Sequence, residues 1–327
     1  MSRVAVIGAG LSGLVVAGQL RHNHEVVVFE KSRGVGGRLA TRYAGDYEFD
    51  HGAHYFTARS IEFQQFLVPL AHRGIVATWP QKLAEIDRGD VVSTHDRAGD
   101  HRCFVGVPRM NEIGKALARK CDVRLHATVN AIERKRNHWQ LKVNNGDYDG
   151  GFDWVVLAIP AAQAAALAPS ESALQQRAAA VPMRACFSLM LGFSAALTVP
   201  WQAALVRHAD ISRIAVNSSK PGRPPAFTLV VQSTDALAEA LSEADRALVT
   251  ERLMAATSAS MGINVHQAAC VQLQRWRYAH LEQQLGTGFH IDPALQLAAC
   301  GDWLIEGRVE AAFASGHELA GTLLQTL

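Results

Sequence analysis

Two domains are predicted: a three-layer α/β domain around a parallel sheet, and an α+β domain around an antiparallel sheet. Three observations predict them. Within the first 30 residues, a strand, a glycine-rich turn, a helix and a second strand follow one another. Continuous apolar runs of strand length recur at 153–159 and 297–300. From about 182 to 274 the texture changes to strand-like segments and an amphipathic helix. With 327 residues, 49% of them hydrophobic, the chain can bury a large core, and two domains are expected at this length.

Val4-Ala5-Val6-Ile7 is a continuous apolar run ending in glycine, the mark of a parallel strand buried on both faces. Leu14, Ala17 and Leu20 share one face of a helix reaching Arg21, and Val26-Val27-Val28-Phe29 is a second buried strand, which completes a βαβ unit. Cys121 to Ala127 and Val129 to Glu133 read as strands. Trp139 to Val143 alternates, and Asn145-Gly146 marks a hairpin. Asp153 to Ile159 is a further buried strand stopped by Pro160, and Ala161 to Ala168 reads as helix. In the second domain, strands are predicted at Cys186 to Phe193 and Ala226 to Ser233, a helix near Ala236 to Ser258, and a proline-rich loop at Lys220 to Pro225. Leu297 to Cys300 is a final strand returning to the first domain, followed by a helix from about Val309. The first domain is thus expected to comprise 1–60, 100–165 and 290–327, and the second, holding the substrate, 61–99 and 166–289.

The net charge of +2 lacks the basic footprint of a nucleic-acid binder. Five scattered cysteines without a CxxC pair suit reduced thiols and a cytoplasmic location. No apolar run is long enough to span a bilayer, so no membrane partner is expected. The apolar N-terminus follows Arg3 alone and is interrupted by Gly8, Gly10 and Gly13, which suits a nucleotide-binding strand and turn better than a signal peptide.

Gly8-Ala9-Gly10-Leu11-Ser12-Gly13 fits G-x-G-x-x-G. The first glycine makes the tight turn, the second lets backbone approach a pyrophosphate, and the third lets helix and strand pack closely. The helix N-terminus offers free N–H groups and a partial positive charge. Glu30 ends the second strand, where an acidic side chain accepts from an adenosine ribose. This Rossmann-like motif alone suits NAD or FAD. The loop Lys31-Ser32-Arg33-Gly34-Val35-Gly36-Gly37-Arg38 favours FAD, because Arg38 can neutralise pyrophosphate with its planar fork and a dehydrogenase holding only NAD has no need of a second cationic loop.

Glu30 through Arg38, with Cys300-Gly301-Asp302-Trp303, resembles the glutathione-reductase-type flavoproteins, in particular their amine-oxidase branch. The resemblance implies that Asp302 meets the ribityl or phosphate part of FAD and that the helix after Arg308-Val309-Glu310-Ala311 points at the isoalloxazine. More narrowly, Lys31 to Gly34, Asp50-His51-Gly52-Ala53-His54-Tyr55-Phe56-Thr57-Ala58-Arg59 and Gly301-Asp302-Trp303 with Gly307-Arg308-Val309-Glu310 resemble the bacterial renalase-like proteins. Weaker matches at Val105 to Met110 and Arg275-Trp276 lie between them in order, while 183–225 matches loosely. His54 stands where that family is expected to carry Gln.

The resemblance implies an oxidase for off-pathway isomers of reduced nicotinamide dinucleotides, the 2- or 6-dihydro forms. Hydride passes to FAD and gives NAD(P)⁺, and dioxygen then yields hydrogen peroxide. Such chemistry needs little acid–base help, since the cofactor carries it and the protein orients. An amine oxidase of the same fold, or a flavin-binding module without turnover, are the competing readings. The expected cofactor residues are Gly8, Gly10, Leu11, Ser12, Gly13, Glu30, Lys31, Arg33, Gly37, Arg38, His54, Tyr55, Val129, Gly301, Asp302 and Val309. Tyr55, Phe56, Thr57, Arg59, Cys186 and Arg308 are expected to face the substrate.

No catalytic side chain is assigned firmly. Lys220 sits beside two prolines and reads as a solvated loop lysine; the alternative is the lysine that amine-oxidase relatives hold through water near flavin N5. Cys300, in an apolar strand, reads as a core thiol, so the FAD is expected to be non-covalent. Trp276 reads as core, and Trp303 as core or pocket. His51 and His54 alone do not make a metal site.

Overall fold

A computed structural model describes residues 1–96, 102–146, 148–170, 172–282 and 286–327. The chain forms two compact units, Met1–Arg38 with Ile113–Met183 and His280–Leu327, and Leu39–Glu112 with Arg184–Ala279. Among the described residues, no helix is long and apolar enough to cross a membrane.

The first unit is built on a six-stranded sheet. From one edge its strands are His290–Asp292, Leu297–Ala299, Trp154–Leu157, β1 (Arg3–Ile7), β2 (Glu25–Phe29) and Asp122–Arg124. All pairings are parallel except that of His290–Asp292 with Leu297–Ala299. β1 explains its own apolar run: Val4 and Val6 join a core with Leu14, Ala17 and Leu20 of helix α1 (Leu11–Leu20) and Leu319 and Leu323 of the last helix, Val309–Thr326. Ala5 and Ile7 point the other way, into a core with Trp139, Leu141 and Phe152 of an antiparallel meander. Helices, sheet and meander are the three layers, and a strand covered on both faces needs apolar residues at every position.

The second unit holds a seven-stranded sheet in the order Cys270–Leu281, Met183–Phe193, Phe227–Ser233, Ile211–Val216, Ala203–Arg207, Lys82–Asp87, Asp90–Asp96. The antiparallel sheet expected here includes a parallel pair, Lys82–Asp87 with Ala203–Arg207. These two strands come from distant parts of the chain, and a parallel pair requires no hairpin between its members. Along Met183–Phe193, Phe187, Leu189, Leu191 and Phe193 enter a core with Val249, Leu253 and Met254 of the helix Arg246–Met261. The alternate residues, Cys186, Ser188, Met190 and Gly192, face the other way by strand geometry.

The single helix predicted at 236–258 is two, Asp235–Ala240 and Arg246–Met261. The break comes where Asp245 caps the second helix by accepting from the Ala247 N–H, so local side-chain chemistry outcompeted a continuous apolar face.

The unit boundaries differ from those expected. Residues 39–60 cluster with the second unit because the hairpin Thr41–Ala44 and Tyr47–Asp50 lies on its sheet, where Phe49 packs against Met190 and Val230. Residues 102–112 follow, since Phe104–Gly106 pairs with Val76–Thr78. Residues 172–183 belong to the first unit, where Leu174 and Ala178 enter the core beneath the helix Ala161–Leu167.

Candidate active site

In the first unit the glycine motif has two distinct physical reasons. Gly8 has φ +106°, and a Cβ there would lie 2.5 Å from the Ala158 carbonyl oxygen. A Cβ on Gly13 would lie 2.1 Å from the Gly8 carbonyl oxygen. Both are required by the fold itself. A Cβ on Gly10 would meet nothing within 4 Å. Gly10 is the N-cap of α1 and offers no capping side chain, and the first turn of a helix carries N–H groups without intrahelical partners. That cleared cradle suits a pyrophosphate.

Glu30 is buried, and both its carboxylate oxygens are engaged: one accepts from the Ala9 N–H at 2.9 Å, the other from the Ser32 N–H at 2.8 Å. It ties the glycine turn to the second loop, and its remaining lone pairs suit a ribose hydroxyl. Lys31 and Arg33 are exposed on that loop. The loop returns to the turn, where the Gly36 N–H donates to the Ala9 carbonyl at 2.8 Å and Gly37 lies against Gly10.

Arg38, expected at the pyrophosphate, and Asp302, expected at the ribityl or phosphate part of FAD, form a two-pronged ion pair, one prong at 2.8 Å between Nη1 and Oδ2 and the other between Nη2 and Oδ1. Asp302 is buried and Arg38 about one-third exposed, so the pair presents the arginine's outer edge. The Gly301 N–H donates to Ser315 Oγ at 2.8 Å, which fixes the turn before Asp302 to the last helix. Val309 is the first residue of that helix, and Arg308, exposed at its N-cap, approaches Glu306. Val129 is buried at the start of its strand within the meander-side core. Cys300 is fully buried, and burial pushes its thiol well up. Trp303 is core, its indole N–H donating to the Ile159 carbonyl at 2.9 Å. The cleared cradle, the buried acid and the partly exposed arginine of the Arg38–Asp302 pair fit FAD.

In the second unit, residues 47–54 run across the sheet face opposite the helix. Tyr47 lies over Gly192, where a Cβ would come within 2.5 Å of the ring. Phe49 covers Met190 and Val230, and the Gly52 carbonyl accepts from Gln232 Nε2 at 3.2 Å. The anchor is Asp50. Its Oδ2 accepts from Lys220 Nζ at 3.0 Å and Arg223 Nη2 at 2.5 Å, and its Oδ1 from the Thr41 hydroxyl and the Met110 N–H. The two cations hold its carboxyl well below the usual range against the opposing effect of burial.

Lys220 is therefore no solvated loop lysine. It is fully buried, donates also to Asn217 Oδ1 at 2.8 Å, and stands 5.5 Å from the Trp79 ring centre. Burial lowers its pKa to about 8, with Asp50 opposing. Adjacent prolines suggested exposure; the pairing carboxylate, 170 positions away, was out of reach of local reading.

His54 is buried, and its Nε2 has no hydrogen-bond partner. Burial, then Lys220 and Arg213, hold the imidazole well below its ordinary pKa, so it is neutral. His51 is also neutral, lowered to about 4 chiefly by burial, and stacks on Trp276 at 5.2 Å. Trp276 is half-buried, not core as expected, and its indole N–H donates to the His51 carbonyl at 2.9 Å. Tyr55 is half-buried and tilted against Trp79, Thr57 is half-buried, and Arg59 is exposed. Phe56, expected as a ring wall, is instead buried between Phe63 and Phe104. Cys186, expected against substrate, is buried beside Ser233, with its thiol pushed up to about 11. Among the described residues, no three His, Cys, Asp or Glu side chains converge as a metal site would require.

Cradle and fold together define an FAD-dependent oxidoreductase. A family model described as "Flavin containing amine oxidoreductase" matches residues 58–324, and one described as "NAD(P)-binding Rossmann-like domain" matches residues 6–70. The chain belongs to the flavin-containing amine oxidoreductase family. It is 29% identical to renalase of Mus musculus over 175 residues, 50% of this chain and 48% of that protein. Over 51 residues, 15% of the chain and 10% of that protein, it is 43% identical to a 4,4'-diapophytoene desaturase of Staphylococcus aureus. The chain therefore spans at most about half the length of these relatives in alignment. Similar solved folds include cyclohexylamine oxidase of Brevibacterium oxydans, with TM-score 0.74 and 12% identity over 99% of both chains. Putrescine oxidase bound to putrescine is similar at TM-score 0.72 and 13% identity, again over 99% of both chains.

Proposed function

We propose that the protein oxidises isomeric dihydronicotinamide dinucleotides, the 2- or 6-dihydro forms of NAD(P), to NAD(P)⁺, with dioxygen as acceptor. In balance, dihydro isomer, O2 and one proton give NAD(P)⁺ and H2O2. FAD, when bound, supplies the hydride acceptor and the route to dioxygen. The reading rests on the resemblance to renalase-like proteins and on one observation in the second unit. Around His54 the charges are Lys220, Arg213 and Asp50, two cations to one carboxylate. An ammonium substrate would meet like charge there, whereas a neutral dihydropyridine with an anionic phosphate tail would not.

The chain's own residues then have modest tasks. Asp50, Lys220 and Arg223 hold 50–54 in place, His54 stays neutral, and no proton need be removed from a dihydropyridine before it gives up hydride. The amine-oxidase alternative draws on a buried lysine, but the ammonium of Lys220 is already committed to Asp50 and Asn217.

The test is to mix the oxidised yellow protein anaerobically with 2- and 6-dihydro-NAD. Bleaching of the flavin bands, with peroxide on readmitting air, is the expected result. Reduction by primary or secondary amines, with none by the isomers, would overturn the reading in favour of an amine oxidase.

A further inference from the structure

One accessible charge on the second unit's sheet is left unbalanced. Arg213 lies on the strand Ile211–Val216, whose Ile214 and Val216 enter the core with the helix Arg246–Met261. By strand alternation its side chain leaves on the opposite face, the face that residues 47–54 cross. There Arg213 is the register partner of Leu205 on one side and of Gln232 on the other. Gln232 Nε2 donates to the Gly52 carbonyl at 3.2 Å, so Arg213 stands one strand from the anchor of the segment that leads to His54.

Arg213 is exposed, and among the described residues it has no hydrogen-bond or ion-pair partner. The carboxylate in its own row, Glu85, lies two strands away beyond Leu205 and is taken by Arg207 Nη2 at 3.1 Å. The buried cluster does not offset the charge either. Asp50 serves both Lys220 and Arg223, which leaves that cluster with one positive charge in excess. His51 and His54 are neutral and add nothing of either sign. Lys220 and Arg213 both act on the His54 ring, so the two unbalanced positive charges flank one place. A field of one sign with an accessible arginine in it attracts an anion and repels a cation.

The anion that the proposed reaction brings is the substrate's pyrophosphate. The sequence holds one G-x-G-x-x-G, at Gly8 to Gly13, and that cradle suits the cofactor. The substrate's own phosphates then fall to side chains. A guanidinium fork pairs with two phosphate oxygens at once, which a lysine ammonium does not. We infer that Arg213 anchors the pyrophosphate of the dihydronicotinamide dinucleotide and makes the enzyme favour dinucleotides over phosphate-free dihydronicotinamides; this rests on the function proposed above. Arg213 holds the tail and not the ring, so its loss changes how much substrate is needed and leaves hydride transfer alone.

The experiment mixes the FAD-loaded, oxidised protein anaerobically with 2- and 6-dihydro-NAD and, separately, with the matching dihydronicotinamide ribosides, which have the same rings and no phosphate. The half-saturating concentration and the limiting rate of flavin reduction are read for each. Arg213→Gln is expected to raise the half-saturating concentration of the dinucleotides about tenfold, with limiting rates within about twofold and the ribosides unaffected. Arg213→Lys should recover part of the loss, since it keeps the charge without the fork. Arg207→Gln, on the neighbouring strand, should match the unmodified protein. Raising salt from about 50 to about 200 mM should weaken the dinucleotides more for the unmodified protein than for Arg213→Gln. NAD⁺ binding, followed through the flavin spectrum, should show the same loss in Arg213→Gln. Unchanged dinucleotide saturation, or an equal loss for dinucleotide and riboside, in a protein whose flavin the isomers reduce, overturns the anchor and leaves the function standing. A flavin that neither kind of compound reduces overturns the function and the anchor with it.

Discussion

Lys220 Nζ lies 3.0 Å from Asp50 Oδ2, and both side chains are buried to within 1% of full. Arg223 shares the same oxygen at 2.5 Å, so one carboxylate serves two buried cations. Removing that carboxylate strands both. Asp50→Asn is expected to cost about 3–5 kcal/mol of stability, the range for an uncompensated buried charge. Lys220→Met leaves the Asp50–Arg223 pair intact and should cost less. Urea unfolding midpoints decide the matter, and a larger loss for Lys220→Met would refute this account of the cluster.

His51 gives a pH dependence with a definite sign. Burial lowers its folded-state pKa to about 4 from 6.5. Between those values the unfolded chain binds a proton that the folded chain does not, so stability falls as pH falls through this window. The full loss from this group is about 3 kcal/mol. His54 acts in the same direction. Unfolding free energies at pH 7, 6 and 5 should decline for the unmodified protein and decline less for His51→Phe. Equal slopes would show that His51 titrates normally.

Gly10 and Gly13 separate fold from cofactor. Gly13→Ala places a Cβ 2.1 Å from the Gly8 carbonyl oxygen and should prevent folding of the first unit. Gly10→Ala meets no protein atom within 4 Å, and the backbone there is extended at φ −74°, which alanine adopts freely. That variant should fold with near-normal thermal stability and purify with little FAD. If it purifies fully loaded with FAD, the cleared space is not the pyrophosphate cradle.

The cofactor is expected to come away whole. Cys300 is buried in the core with its thiol held protonated, far from the thiolate that a flavin tether requires. Acid precipitation should leave all the yellow colour in the supernatant. Flavin retained in the pellet would show a covalent bond.

Much of the first unit was legible because its signals are local. β1 is apolar at every position because both its faces are covered, and the glycine turn, α1 and β2 follow within 25 residues. The second unit was less legible. Its hairpin Thr41–Ala44 and Tyr47–Asp50 looked continuous with the first domain, and long-range packing such as that of Phe49 on Met190 and Val230 assigns it elsewhere. For the residues quoted for resemblance, the partners were not readable. Asp50 meets Lys220 and Arg223 across 170 and 173 positions, and Arg38 meets Asp302 across 264. Phe56 failed for a related reason: an aromatic in a motif can serve the core as readily as a ligand, and Phe63 and Phe104 claim it.

The strand Met183–Phe193 interleaves two sets of residues, Phe187, Leu189, Leu191 and Phe193 toward the core and Cys186, Ser188, Met190 and Gly192 toward the opposite face. A mutagenesis library confined to 186 and 188 therefore varies one face of the sheet without touching the aliphatic and aromatic side chains on the other. Position 192 is the exception, since any larger residue collides with Tyr47. A library across this strand thus has two adjustable places on that face and one that selection will return to glycine.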